Sequence, residues 1–248
     1  MKKYLVLIVL CVSALTVNAQ RAMNLPYTDD RFIHYGFYLG TNCLSYSLVE
    51  SGQPLTGTDA VMQVNLMNDT IHPRVSKLRP GFSVGFITDL RLTRHLNLRF
   101  TPGLDFSWTF IDYKYYNMDE EGKRKEKKFN TPIKSIPFVV PVQLKWSADR
   151  ESNYRPYVIG GVGIGYDFGT HVTQNVIPQP LTTFLQIGFG CDFYFSWFKL
   201  CPELKYQLGL QPNILKPSSD PNYDGIKFYT DAIESMRLHT ISLVFNFE

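Results

Sequence analysis

The sequence is organised by a regular alternation of apolar and polar residues. In residues 95–110, HLNLRFTPGLDFSWTF, one set of alternate positions carries large apolar side chains and the other carries small, polar or charged ones. Because successive side chains of a β-strand point to opposite faces, this pattern predicts a strand with one apolar face. The same pattern predicts eight strands, at residues 32–46, 79–91, 95–110, 133–147, 155–168, 181–195, 198–209 and 237–247.

The predicted connections between these strands alternate in length. Four are long, at residues 47–78, 111–132, 169–180 and 210–236, and the three between them are short, at 92–94, 148–154 and 196–197. Outer-membrane barrels have long extracellular loops and short periplasmic turns. The sequence therefore predicts an all-β fold: an eight-stranded antiparallel up-and-down transmembrane β-barrel in the cell outer membrane, with both termini in the periplasm.

The apolar face of this barrel is predicted to point outward, into lipid. The interior of a closed eight-stranded barrel is only just wide enough for side chains. In an eight-stranded parallel barrel, about a dozen side chains fill it. The apolar face has too many large residues for that space, and its strand cores carry no charge. Aromatic residues on this face or near strand ends suit interfacial girdles: Tyr35, Trp108, Trp146, Trp197 and Tyr206.

The other face, which then points inward, carries several charged residues among glycines and hydroxyls. These predicted interior residues are Asp89, Arg99, Asp105, Lys145, Asp167, Asp192, Glu203 and Lys205. Buried charges persist only when they are paired or hydrogen-bonded. We therefore expect a structural network of salt bridges that closes the interior, rather than a diffusion pore.

Four prolines interrupt the predicted strands: Pro102, Pro137, Pro141 and Pro202. Proline has no backbone N–H to give to the ladder, and a closed barrel offers no free edge at which this is harmless. We therefore expect β-bulges or shifted strand starts at these positions, which affect the registers of residues 133–147 and 198–209 most.

The first nineteen residues predict a secretory signal peptide. Lys2 and Lys3 precede an apolar run that ends at Ala19 with a small-residue cleavage site. The prediction is thus a signal peptide at 1–19 and one barrel domain at 20–248. Without the two lysines, the formal net charge falls from +3 to +1, so no strongly basic surface indicates nucleic-acid binding.

Motifs that resemble catalytic or binding sequences are better explained by strands. Gly81–Gly85 matches G-x-S-x-G around Ser83, but the strand alternation continues where a hydrolase has a helix. The glycines at 161, 163 and 165 lack the spacing of a phosphate-binding loop and are expected to make room for bulky side chains inside the barrel. The histidines and cysteines show no metal-ligand spacing. The sequence therefore predicts no catalytic residue, metal or cofactor.

One enzymatic alternative stays open. Some outer-membrane barrels hydrolyse substrates with acidic and histidine residues at the extracellular rim. His72 with Asp69, or His171 with Asp167, are the pairs that this alternative would use. No nucleophile or paired acid accompanies them in the sequence, so we expect a protein that is not an enzyme.

The start of the mature chain resembles a known family. The segments Asn24–Tyr27 and Asp30–Gly40, together with residues 80–92, 136–146 and 155–167, are similar to the PorT proteins of Bacteroidetes. These are outer-membrane barrels of the type IX secretion and gliding motility system. A departure from many outer-membrane barrels is Glu248, because it follows Phe247 where the chain normally ends on an aromatic residue.

The resemblance implies a non-enzymatic requirement for exporting cargo that bears C-terminal sorting domains. Since a closed eight-stranded barrel cannot pass folded cargo, the hypothesis is an assembly or scaffold role. The partners are then the outer-membrane lipid bilayer and other type IX secretion components, docked on the long loops or the lipid-facing wall. The alternative is a general surface barrel of the OmpA/OmpX type that acts through its extracellular loops in adhesion or stress resistance.

Overall fold

The computed structural model describes residues 23–52, 55–59, 64–69, 72–118, 124–169, 178–212 and 231–248. The predicted signal peptide and parts of the long connections lie outside the described residues. No helix of the described part is long and apolar enough to cross a membrane. Its elements are a short 3-10 helix at Thr28–Asp30 and the strands β1 Ile33–Glu50, β2 Leu55–Asp59, β3 Val64–Asp69, β4 His72–Leu78, β5 Pro80–Arg91, β6 Leu96–Phe100, β7 Gly103–Met118, β8 Arg124–Ser135, β9 Pro137–Ser147, β10 Tyr154–Asp167, β11 Leu181–Tyr194, β12 Lys199–Gly209 and β13 Ile233–Phe247.

The main sheet contains eleven of these strands, all paired antiparallel to their neighbours. In three cases, two consecutive strands follow each other along one path and pair with a common neighbouring strand: β4 with β5, β6 with β7, and β8 with β9. For example, β5 pairs Thr88 with Phe100 of β6 and Phe82 with Phe106 of β7, in one unbroken register. The eleven strands thus form eight strand paths, which confirms the predicted up-and-down fold.

The pairing runs around the molecule and returns to its first strand. Starting from β1, the order is β13, β12, β11, β10, β9, β6 and β5. β1 pairs with β13 along one edge and with β5 along the other. In this ring β6 lies opposite β12, and β1 lies opposite β10. We call the end with the connections at 92–95, 148–153 and 195–198 the short-turn end, and the other the long-loop end.

The prolines disturb the ladder less than the sequence suggests. Pro102 separates β6 from β7 and Pro137 begins β9, as expected for breaks in a strand. Pro141 and Pro202 instead lie inside continuous registers, so the expectation of bulges there is wrong. A proline loses its donor but keeps its acceptor, and the Pro141 carbonyl accepts a hydrogen bond from the Thr101 N–H at 3.4 Å. The register shifts of the described strands include those at Val49/Glu50 in β1, at Leu55/Gly57 in β2 and at Val75/Lys77 in β4.

Several strands extend beyond their predicted ends. The predicted loop 111–132 is mostly a continuation of the β7–β8 hairpin, and the predicted loop 47–78 contains the end of β1, the β2–β3 hairpin and β4. The prediction was wrong here because the chemistry of the two faces inverts. At Ile111 and Tyr113 the inward side chains become apolar and fully buried. The outward positions become polar at the same point, so the strand no longer matches a lipid-facing pattern.

The outer wall between the two ends is apolar. Its exposed side chains include Phe86 at 72%, Phe189 at 60% and Ile187 at 55% of their full accessible area. Along β11 and its neighbours these residues alternate with buried, mostly polar ones. A surface of this kind is stable only against hydrocarbon, which agrees with the predicted outward orientation of the apolar face.

A lysine in the middle of this wall is expected to destabilise the barrel. Phe189 lies in the middle of β11, opposite Val158 and Leu204. Phe189→Lys should lower the free energy of unfolding in lipid vesicles by about 2–4 kcal/mol, measured by urea titration. Leu181→Lys, at the end of the same strand, is the matched control and should cost about 0–1 kcal/mol. Equal losses for both variants would contradict a lipid-facing wall.

Candidate functional site

A buried cluster of charged side chains occupies the interior near the short-turn end. Its centre is Arg99 of β6, whose side chain is fully buried. The Arg99 guanidinium lies 2.8 Å from Asp89 of β5, 3.1 Å from Glu203 of β12 and 2.9 Å from Glu248. Because β6 and β12 are opposite each other in the ring, Arg99 bridges the full width of the interior.

The remaining members of the cluster are also paired. Lys145 lies 2.7 Å from Asp192, Lys205 lies 2.7 Å from Glu203, and Lys199 pairs with Glu248. Counting Arg99 and Asp89, the cluster therefore holds four cations and four anions. Formal neutrality and direct pairing are what allow this many charges to remain buried in a low-dielectric interior.

Tyr157 of β10 joins the two halves of the cluster. Its hydroxyl donates a hydrogen bond to Glu203 at 2.7 Å. The Lys145 Nζ lies 4.1 Å from the centroid of its ring, and the Arg99 guanidinium lies at 5.6 Å. The aromatic face thus stabilises two cations that are removed from water.

The structure brings six of the eight predicted interior residues into this cluster. Asp105 and Asp167 lie further toward the long-loop end. Asp105 is opposite Ser83 in the β5–β7 ladder. Asp167 accepts hydrogen bonds from the Ser135 hydroxyl at 2.5 Å and from the Ile136 N–H at 2.8 Å. Both residues thus lie in polar surroundings inside the barrel.

Two members of the cluster, Lys199 and Glu248, were missed by the sequence analysis. The signal was present, because Lys199 continues the inward alternation through Glu203, and Glu248 continues the inward face of β13. Glu248 pairs with Lys199 and lies 2.9 Å from the Arg99 guanidinium. Glu248 is therefore a buried anion of the cluster.

The long-loop end of the interior is filled differently, by an apolar plug that the sequence analysis did not predict. Its buried residues are Leu44, Tyr46, Ile111, Tyr113, Ile133, Ala232, Ile233 and Met236. They come from β1, β7, β8, the start of β13 and the residue before it, in the part of the barrel where the outer face is polar. At this end, apolar side chains therefore lie inside and polar ones outside, as in an ordinary soluble protein.

Little free space separates the charged cluster from the apolar plug. Two small cavities lie there, of about 30 Å³ and about 20 Å³. Asp105 and Gln207 line both of them. A cavity needs roughly 10–15 Å³ to hold one water, so each has room for a water or two. Neither of these two cavities has room for a solute much larger than water.

Residues 23–32, which we call the N-terminal strap, cross the short-turn end. The Asn24 side chain donates to the Tyr194 carbonyl at 3.0 Å, and Tyr194 donates its hydroxyl to Asp29 at 2.8 Å. The Arg150 guanidinium lies 3.6 Å from the centroid of the Tyr194 ring. Since the strap leads into β1 on the opposite side of the ring from these contacts, it covers the short-turn mouth.

The other sequence motifs take structural places. Ser83 lies inside the barrel and accepts a hydrogen bond from Asn42 at 2.7 Å, and β5 continues past it to Arg91. His72 pairs with Glu50 at 2.9 Å. His171 and the side chain of Asp69 lie outside the described part of the chain. Within the described ranges, no group of three or more histidine, cysteine or acidic residues is arranged to bind a metal.

Comparison with known proteins places the chain in a family. No curated protein matches it. Among solved structures, Neisserial surface protein A is 10% identical, with 87% of this chain and 98% of that chain covered and a TM-score of 0.41. Ail, the attachment invasion locus protein of Yersinia pestis, is 12% identical, with 86% and 96% covered and a TM-score of 0.33. The family model described as outer membrane protein beta-barrel domain matches residues 18–215. The chain therefore belongs to the outer membrane protein beta-barrel domain family.

Proposed function

We propose that this outer-membrane barrel is a non-enzymatic component of type IX protein secretion. It acts as an assembly or scaffold protein for the export of cargo with C-terminal sorting domains. The observation that carries the proposal is the filled interior. A barrel closed by the Arg99 cluster and by the apolar plug leaves its outer wall, loops and strap as the surfaces with which it acts.

The N-terminal strap gives this proposal its second support. The similarity to PorT proteins rests in part on Asn24–Tyr27 and Asp30–Gly40, and Asn24 makes one of the contacts between the strap and the far wall. In the orientation that we propose, with both termini in the periplasm, the strap faces the compartment from which cargo arrives. Its outer side is then available to periplasmic secretion components.

The proposal includes no catalytic role. Each pair considered for a hydrolytic rim includes one group outside the described residues, His171 or the Asp69 side chain. Of the described members, Asp167 lies inside the barrel and His72 pairs with Glu50. The charged residues of the Arg99 cluster are buried and paired with one another, so they are out of reach of a substrate. The proposed partners are the bilayer and other type IX components.

Deleting the gene tests the proposal. We expect cargo with C-terminal sorting domains to accumulate inside the cell, and a plasmid copy of the wild type to restore export. A plasmid copy in which the tips of the long connections are replaced by short turns distinguishes action through the loops from action through the outer wall or the strap. Restored export by this copy favours docking on the wall or strap. Intact export in the deletion strain would overturn the secretion role and leave the surface barrel of the adhesion or stress type.

Affinity purification in mild detergent identifies the partners. A tagged wild-type protein should retain type IX components from native outer membranes. Asp29→Ala removes the strap carboxylate that accepts a hydrogen bond from the Tyr194 hydroxyl, and it should lower that retention if the strap is the docking surface. Phe32→Ala, at an exposed position of the same strap, leaves those bonds intact and should lower retention only if this side chain itself contacts a partner.

A further inference from the structure

One arginine at the short-turn end holds the backbone of the N-terminal strap. The Arg150 guanidinium donates hydrogen bonds to two consecutive strap carbonyls, that of Leu25 at 3.1 Å and that of Asn24. The guanidinium lies 3.6 Å from the centroid of the Tyr194 ring, and only 9% of the arginine side chain is exposed. Its Nε donates to the Ser152 carbonyl at 2.8 Å, so contacts within the barrel fix the orientation of this guanidinium.

Further barrel side chains hold the strap beside Arg150. Tyr194 donates its hydroxyl to the Asp29 carboxylate at 2.8 Å, and the Arg155 guanidinium lies 3.7 Å from the same carboxylate. The Asn153 side-chain oxygen accepts a hydrogen bond from the Asn24 N–H at 2.8 Å. These barrel residues belong to β10, β11 and the turn before β10, across the ring from β1. We call them the strap latch: Arg150, Asn153, Arg155 and Tyr194.

The strap buries little apolar surface against the barrel. Its large side chains are largely exposed, with Tyr27 at 79%, Phe32 at 68% and Met23 at 50% of their full accessible area. The N–H groups of Thr28 and Asp30 bond to carbonyls of the strap itself. Segments with few buried apolar contacts open at a lower free-energy cost than core strands, and they open while the rest of the protein stays folded.

The latched strap also has a strained backbone. Leu25 has a φ of 47°, in the left-handed region that a residue of this type rarely adopts. The carbonyl of this same residue accepts the hydrogen bond from Arg150. Strain of this kind persists only where the surrounding contacts impose it. Losing the Arg150 contact therefore removes one of the interactions that hold the strained conformation.

The strap latch adjoins the Arg99 cluster. Tyr194 is the partner of Lys199 in the β11–β12 ladder, and Lys199 pairs with Glu248, which lies 2.9 Å from Arg99. The Tyr194 residue is 2% exposed and Lys199 is 3% exposed. In the closed position, the strap and Tyr194 therefore separate this side of the cluster from the water at the short-turn mouth.

We propose that the N-terminal strap is a releasable lid on the short-turn mouth, and that the strap latch determines how often this lid opens. In the open position the strap is a short peptide joined only to β1, and Lys199 and Glu248 meet water. The apolar plug still fills the other end of the barrel. A partner that binds the released strap shifts the equilibrium toward the open position. The inference depends on the fold of the short-turn end and not on the secretion role.

Amide hydrogen exchange of the refolded protein in detergent micelles tests the lid. Mass spectrometry of peptides within residues 23–32 should show slower exchange than in a free peptide of the same sequence, but faster exchange than in the strands. Arg150→Gln removes charge-assisted hydrogen bonds and should speed exchange of the strap about tenfold. Arg94→Gln removes an exposed cation at the same end, where it pairs with Asp149, and should exchange like the wild type.

Tyr194→Phe is a second, milder variant. It keeps the ring beside Arg150 and removes only the hydroxyl that is bonded to Asp29, so we expect a smaller acceleration. Heat-modifiable gel mobility shows whether each variant is folded. Unchanged strap exchange in the folded variants would overturn the proposal. Wild-type strap exchange as slow as that of the strands, or as fast as that of the free peptide, would also overturn it.

A thiol inside the short-turn mouth tests whether the strap covers it. Ser147 is the last residue of β9 and is 3% exposed inside the barrel. Ser147→Cys, in a chain with Cys43, Cys191 and Cys201 replaced by alanine, should react slowly with a charged thiol reagent. Adding Arg150→Gln should speed this labelling by about the same factor of ten. Faster strap exchange without faster labelling would overturn the lid. These outcomes do not depend on cargo export, so they are distinguishable from failure of the secretion role.

Discussion

Replacing Arg99 by alanine is expected to destabilise the barrel by about 3–5 kcal/mol, because this removes the cation that compensates three buried carboxylates. Asp89, Glu203 and Glu248 then face one another without their shared partner. Lys199 and Lys205 remain for two of them, but Asp89 loses its ion pair with Arg99. Urea unfolding in lipid vesicles, followed by heat-modifiable gel mobility, measures the loss.

Arg94→Ala provides the matched control for Arg99→Ala. Arg94 lies near the same end of the barrel, but its side chain is 77% exposed and its ion pair with Asp149 is open to water. Exposed ion pairs contribute less than about 1 kcal/mol. A loss for Arg99→Ala as small as that for Arg94→Ala would mean that the interior cluster is hydrated and does not hold the barrel closed.

Replacing Gly163 by valine is expected to cost about 1–3 kcal/mol, or to prevent folding. A Cβ atom at Gly163 would lie 2.4 Å from the Phe184 ring and 2.9 Å from the backbone of Pro141. Phe184 is only 1% exposed and fills the interior between the walls, so it has little space into which to move. Urea titration of the refolded protein gives the change in stability.

Gly160→Val is the control on the same strand. Nothing lies within 4 Å of a Cβ atom at Gly160, which is three residues away and on the outward face. An added valine side chain there meets only lipid, and we expect a change of less than about 0.5 kcal/mol. If both variants were tolerated equally, the assignment of inward and outward faces on β10 would be wrong.

The sequence predicts the transmembrane part of the fold well because one physical rule acts there. Along Leu96–Phe110 and Leu181–Tyr194, each outward residue must suit hydrocarbon and each inward residue must suit a narrow polar interior. Alternation then fixes both the strands and their faces. Even Pro102 leaves the register unchanged, since the ladder resumes across it.

The same rule fails where the strands leave the membrane. Above Phe110 the outward side meets water, and the inward side becomes the apolar plug around Ile111 and Tyr113. The alternation persists there, with apolar side chains inside and polar ones outside. Because the two faces differ less in polarity than in the membrane-spanning part, the sequence analysis predicted a loop. The sequence also could not predict which interior side chains pair with one another. That Arg99 meets Glu203 and Glu248 depends on the closure of the ring, which no local pattern encodes.

The central claim of this account is that the barrel is closed and acts through its outer surfaces. Single-channel recording in planar lipid bilayers, with the purified wild-type protein, tests this claim most directly. Because the Arg99 cluster, the apolar plug and the N-terminal strap fill or cover the interior, we expect no conductance above the bare bilayer. Stable, ion-carrying conductance steps from the wild-type protein would contradict the account and identify the molecule as a channel.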